Sequence, residues 1–221
     1  MSVFDILITY YPAFLTGLQV TLLLFLLVCA SGLLIGGALG VIGARHPKQV
    51  GRPSYVVSVI LSSIPVLVLL FWLHYPAQSM VDIVLPPFWT AAIAFSLLNI
   101  FAVSDLVRVA LRDFPQQYIV AAQVTGLTRK QIRRHIQFPL LLRSILPSLL
   151  ILQISMLHMT LFASLISVEE IFRVAQRINA QIYRPVEIYT ALAVFFLLVC
   201  LPVNGFALYL RARFTRDLSE K

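Results

Sequence analysis

Polar residues do not punctuate this chain at the helical period of a soluble domain. Apolar residues instead form long runs. Five of them reach the roughly 20 residues that a helix needs to cross the hydrocarbon core of a bilayer, near 14–43, 54–76, 86–111, 144–166 and 187–210. Lipid offers the backbone no hydrogen bonds, so each run is expected to be helical. The pattern predicts an all-α integral membrane protein with about five transmembrane helices, in one domain over 1–221. The first run carries Gly32, Gly36, Gly40 and Gly43 near one helical face. Small residues at that spacing let a second helix approach closely.

Three stretches interrupt the pattern. Residues 1–12 place Phe4, Tyr10 and Tyr11 where a headgroup layer suits aromatic rings, and read as a short interfacial segment. They lack the basic start and small-residue cleavage site of a removable signal peptide. Residues 167–186 (SVEEIFRVAQRINAQIYRPV) are amphipathic and read as a short helix over a pore mouth. The third stretch, 112–143, is a polar, basic insert between the third and fourth runs.

Composition and charge sharpen this picture. The chain is 60% hydrophobic and 12% charged over 221 residues, more apolar surface than a soluble domain of this size can hide. The net charge of +8 would suit nucleic acid in a soluble protein. Here the basic residues sit between apolar runs, and their placement is topological. Fourteen of the seventeen, from Arg45, Lys48 and Arg52 through the 112–143 insert to Arg211, Arg213, Arg216 and Lys221, fall on one side. Arg173, Arg177 and Arg184 fall on the other, offset by Glu169, Glu170 and Glu187. The bias predicts an N-terminus outside, a C-terminus in the cytoplasm and the insert in the cytoplasm. Cys29 and Cys200 lie inside apolar runs and read as small core residues.

Within the insert, Gln116–Val124 favours helix, with Pro115 at its start and Gly126 suited to a left-handed cap. Ala121 and Ala122 leave a nearly bare face that a partner can approach to backbone distance. Arg129, Lys130, Arg133 and Arg134 suit anionic headgroups or an acidic partner. Pro139 and Pro147 are expected to start or kink the next span. On these grounds alone, an ordinary positive-inside loop that happens to be helical fits equally well.

Further signals come from the order of motifs. Val120-Ala-Ala122, then Gly126, then Phe138-Pro139 resembles the E-A-A, glycine, hydrophobic-proline pattern in the permease subunits of ATP-binding-cassette importers for polar amino acids, of the histidine, arginine and glutamine type. PAFLTGLQVTLLLFLL from Pro12, SSIPVLVLLFWLHY from Ser62, Asp105-Leu-Val-Arg108 and the stretch from Leu157 to Tyr189 are similar to that family at matching places along the chain. The resemblance implies a type I importer permease fold in a bacterial inner membrane. It implies that Gln117, Val120, Ala121, Ala122, Gly126, Leu127 and Pro139 couple the chain to an ATPase. It also implies two copies of that ATPase, which carry the ATP and Mg, a second permease and an external solute-binding protein. No GxxxxGK[ST] occurs here, so no cofactor and no ATP hydrolysis are expected of this chain.

The chain departs from the family at instructive places. The loop glutamate is Val120, the arginine and threonine before the span-two proline are Ser62 and Ile64, and a frequent glutamine is Leu69. Each change makes the lining more apolar. That favours a heterodimer whose other permease carries most substrate contacts, over a homodimer or a less polar cargo. Asn99, Ser104, Asp105, Arg108, Gln153, Ser155, His158, Thr160 and Ser164 lie within apolar runs, where polar groups face a cavity or a partner. Ser62, Asn99, His158, Thr160 and Ser164 are the candidates for a substrate pathway, and Asp105 with Arg108 for a structural pair. The acidic and basic residues of 169–184 read either as a contact for the binding protein or as a solvated face. Other readings are a permease for an opine or osmolyte, an ion-coupled transporter and a membrane anchor. The second predicts inverted repeats and buried acidic ion sites; no repeat stands out, and among the acids Asp105 alone lies buried in a run. The third has no use for the insert.

Overall fold

The computed structural model describes residues 3–219, with side chains through Arg213. Arg216 and Lys221, counted in the charge bias, lie outside the described side chains. The described elements are helical: α1 Val3–Ser31, α2 Gly37–Arg45, α3 Arg52–Ser63, α4 Val66–His74, α5 Pro76–Val81, α6 Pro87–Arg112, α7 Gln116–Val124, α8 Arg129–Ile132, α9 Phe138–Thr160, α10 Ile171–Ile182 and α11 Pro185–Ser219. A π-helical turn at Gly32–Gly36 joins α1 to α2 without a break. Four helical stretches are long and apolar enough to cross a membrane, and a bent fifth joins them. The third and fourth, α6 and α9, are about half buried and form the centre; the first and last are mostly exposed.

The first span is longer than the run that predicts it. Residues 3–12 are not a separate interfacial piece but the first turns of α1. The helix continues because Ile6 and Tyr10 pack with Val174, Ala175 and Ile178 of α10 and with Ile188 of α11.

The second span is not one rod. Its halves, Pro47–Ser63 and Val66–Val81, meet at 95°. Pro65 supplies no amide hydrogen and disfavours helix at the residue before it. Ile64 is accordingly extended, at φ −90° and ψ 125°. The turn carries Leu70 into the core with Leu24, Val28, Phe95 and Ile166.

Glycines set the seam between the first span and α6. A methyl group on Gly40 would lie 2.6 Å from the Ser104 carbonyl oxygen, and one on Gly36 would strike that of Ile100. Only hydrogen fits at either place, so the backbones meet without intervening side chains.

The fourth span begins earlier than the apolar run, at Phe138, with Pro139 in the first turn where its missing amide is harmless. It ends as α-helix at Thr160 and tightens into a 3-10 segment over Leu161–Ile166.

Candidate functional site: a projecting helix and an interior polar seam

The chain leaves α6 through Asp113, Phe114 and Pro115 and enters α7. Phe114 is buried, with its ring 6.2 Å from that of Tyr118. Ala122 is the buried residue of α7. This corrects the expectation of a bare Ala121–Ala122 face. Neighbouring residues point about 100° apart on a helix, so Ala122 turns into the body and Ala121 turns out. Gln117, Val120, Ala121 and Val124 are exposed, with Val124 at 83% and Val120 at 55%. A soluble partner would find here a small apolar ridge with no charge on it.

The end of α7 is fixed by its backbone. Gly126 has φ +80°, Leu127 N–H donates to Ala122 O at 3.2 Å, and Gly126 N–H donates to Gln123 O at 3.0 Å. These two bonds make a Schellman cap, which needs a residue at ease in the left-handed region. Thr128 then starts α8 with a capping box. Its hydroxyl accepts from the Gln131 amide, and the Gln131 side chain accepts from Thr128 N–H at 2.9 Å. A π-helical turn over Arg133–Gln137 feeds directly into α9. The ridge is thus followed by two successive caps, at Gly126 and Thr128, preceded by the buried Phe114, and joined to α6 and α9 by short links.

The interior holds a polar seam. Asn99 of α6 is fully buried and donates to Val28 O of α1 at 2.8 Å and to Gln153 Oε1 of α9 at 3.0 Å. Gln153 Oε1 also accepts from the Cys29 thiol at 2.9 Å. One amide pair ties three spans together. Thr160 and Ser164 are buried as well, and their hydroxyls donate to their own helix at Leu157 O and Leu161 O. Of the five pathway candidates, Asn99, Thr160 and Ser164 therefore spend their polar groups inside the fold.

His158 and Ser62 are exposed. The His158 ring meets Phe196 edge-on, and its Nε2 lies 3.4 Å from the Cys200 sulfur. Ser62 sits in the last turn before the bend and donates to Val59 O at 3.0 Å. Asp105 and Arg108 lie 2.7 Å apart, and the Arg108 guanidinium also stacks over Tyr55 at 5.1 Å. The ion pair lies within α6, and the Arg108–Tyr55 contact fastens α6 to α3.

At the other end of the bundle, sequence reasoning passed over a cluster. Gln78 Nε2 donates to Thr90 Oγ1 at 2.9 Å, Leu85 N–H donates to Gln78 Oε1 at 2.7 Å, and His74 Nδ1 stands 3.4 Å from the same threonine. The available signal was the i, i+4 spacing of His74 and Gln78 before a proline-rich turn. Nearby, Glu170 caps α10 and is fully buried. Its two carboxylate oxygens accept from Phe172 N–H at 2.9 Å and Arg173 N–H at 2.8 Å. It therefore does not belong to the exposed charged set in which the sequence reading placed it. Burial pushes its carboxyl up to about 7, against the pull of those two amides. Glu169, by contrast, pairs on the surface with Arg177 at 2.9 Å.

Among the described residues, a helical bundle with four full spans, one broken span and a capped helix held out between the third and fourth spans is a multi-pass membrane protein. The chain belongs to the family described as binding-protein-dependent transport system inner membrane component, whose sequence pattern matches residues 32–216. It is thus a permease subunit, and family membership implies an ATPase and a solute-binding protein as partners. It is 28% identical to the glutamine transport system permease protein GlnP of Escherichia coli (strain K12), over 87% of this chain and 89% of that one. It is 32% identical to the L-cystine transport system permease protein TcyB of Bacillus subtilis (strain 168), over 87% and 82%. Its fold superposes on the crystal structure of an amino acid ABC transporter with histidines at a TM-score of 0.81, covering 94% of this chain and 96% of that one at 23% identity.

Proposed function

We propose that this chain is the permease subunit of an ATP-driven importer of a polar amino acid in a bacterial inner membrane, and that α7 is the helix through which the ATPase moves it. The glutamine and cystine permeases among its relatives support the cargo class. The observation that carries the coupling role is the exposed, uncharged ridge of Val120, Ala121 and Val124, held between the Schellman cap at Gly126 and the buried Phe114. Arg45, Lys48, Arg52, Arg112 and the 129–134 run, at the ends of the first three spans and around α7, support a cytoplasmic location for that side.

In this reading two ATPase copies bind ATP and Mg, close, and draw two such ridges together. The pore then changes its open side, a shift between two populations forced by the partner. The chain itself holds no cofactor and performs no chemistry. The second permease is a different protein. Support for that lies in the pathway: with Asn99, Thr160 and Ser164 bonded inside the fold, His158 and Ser62 remain as its polar contribution, too little for a zwitterionic cargo.

The test pairs a ridge variant with a cap variant. Ala121→Trp blocks the ridge without disturbing the interior, and Gly126→Val strains the cap. Both proteins are expected to reach the membrane while ATP-driven uptake falls at least tenfold. Unchanged uptake with both would remove α7 from the mechanism. Affinity purification of the tagged chain is expected to bring down an ATPase and a second, different permease; a complex with this permease alone would overturn the heterodimer.

A further inference from the structure

A second site lies where the first, third and fourth spans end beside the insert. A cavity of about 370 Å³ opens there, lined by Arg45 and Arg133 at its polar rim and by Val41, Ala44, Leu111 and Leu141 along its floor. Both arginines are exposed, and among the described residues neither has a hydrogen bond or an ion pair. Two guanidiniums without a partner among the described residues stand over an apolar trough, and such a rim calls for an anion and the floor for hydrocarbon.

We propose that this cavity binds one anionic phospholipid, its phosphate held by Arg45 and Arg133 and an acyl chain laid along Val41, Ala44, Leu111 and Leu141. Guanidinium matches phosphate with paired, directed hydrogen bonds. The rim stands at the end of α2 and beside the π-helical entry to α9, the depth at which spans give way to headgroups. A free phosphate would leave the floor bare. A zwitterionic headgroup would bring its own cation toward two others. The site also bears on the insert: Arg133 and Gln137 line a neighbouring cavity of about 210 Å³ together with Ile119 and Gln123 of α7. A lipid on Arg133 therefore sits on the route from α7 to α9. The inference rests on the chain's place in a membrane and not on its cargo.

The test takes the purified transporter complex into nanodiscs of phosphatidylcholine with and without phosphatidylglycerol and reads retained lipid by native mass spectrometry. The wild type is expected to retain phosphatidylglycerol selectively. Each charge-assisted hydrogen bond to the phosphate contributes about tenfold, so Arg45→Gln with Arg133→Gln should lower retention roughly 100-fold. Lys48→Gln with Arg134→Gln removes the same charge from exposed positions outside the cavity and should cost far less, only the general surface attraction. Ala44→Trp keeps both charges and fills the floor; it should release the lipid, whereas a site for free phosphate would survive it. No selectivity in the wild type, equal losses from the two double variants, or full retention in Ala44→Trp would each overturn the proposal. So would a cross-link from Ala44→Cys to the second permease, which would make a protein the occupant. None of these readouts needs transport, so a wrong cargo or coupling assignment would leave them intact.

Discussion

Two short helices interrupt the long spans, and they are built to opposite ends. α10 presents Ile171, Val174, Ala175 and Ile178 to α1 and α11, and all four are buried. Its first turn is closed by a buried carboxylate, and its Ile171 N–H donates to Thr21 of α1 at 3.0 Å. α7 buries Ala122 and little else. Both are polar interruptions in the sequence, yet one is part of the core and the other is scaffolded surface. A helix that leaves most of itself exposed gains little from burial, so its conformation must come from its ends. For α7 the capped end is the C-terminal one, fixed by the Schellman cap at Gly126, while Pro115 and the buried Phe114 set its start, and a partner can be fitted to the ridge without unfolding anything beneath it.

The comparison can be broken most severely at Gly17. A methyl group there would lie 2.9 Å from the Ile171 Cα and 2.8 Å from Val174. Gly17→Leu should force α10 off α1 and cost about 3 kcal/mol, seen as a lowered midpoint in denaturant unfolding whether or not an ATPase is present. A variant as stable as the wild type would mean that α10 is not part of the core.

A smaller effect is expected at Glu170. Its carboxyl is raised from 4.5 to about 7 in the fold. The folded state therefore holds a proton that the unfolded state has released between those values. Stability should be highest below about pH 4.5 and fall as pH rises through 7, by at most about 3 kcal/mol. Glu170→Gln should flatten that slope in unfolding measured across pH, at the price of a weaker cap. A slope that survives the substitution would assign it to another group.

The smallest effect is expected on α7. Val120→Glu supplies the glutamate of the E-A-A pattern that Val120-Ala-Ala122 resembles. On an exposed helix it should change stability by less than about 0.5 kcal/mol. An added surface ion pair is worth about 0.2–1 kcal/mol, so ATPase affinity measured by titration should rise up to about fivefold. A large stability change would show that Val120 is packed in the fold after all.

The spans were readable because lipid imposes a simple rule on composition, and the glycine seam because Gly32, Gly36, Gly40 and Gly43 repeat on one face. The bend after Ser63 was not read, although Ile64-Pro65 marks it, because a hydropathy run records length and says nothing of direction. The cap at Gly126 was readable from one residue. The turning of Ala122 inward was not, since it depends on what α8 and the π-helical turn at Arg133–Gln137 place beside α7. Asn99, Thr160 and Ser164 illustrate the same limit. A polar residue in a span must find a partner, but the sequence does not say whether that partner is a cargo, a neighbouring amide such as Gln153 or the carbonyl of its own helix.

Close backbone contact along Gly36 and Gly40 has a mechanical consequence. With the Ile100 backbone against Gly36 and the Ser104 backbone and Val107 side chain against Gly40, the first span and α6 have little room to slide and are expected to move as one stiff pair. Compliance is left to the 95° corner before Pro65 and to the π-helical turn before Phe138. Since α7 follows α6 directly, a displacement imposed there would be expected to reach the far side as a tilt of the pair, with the remaining strain relieved at the soft places.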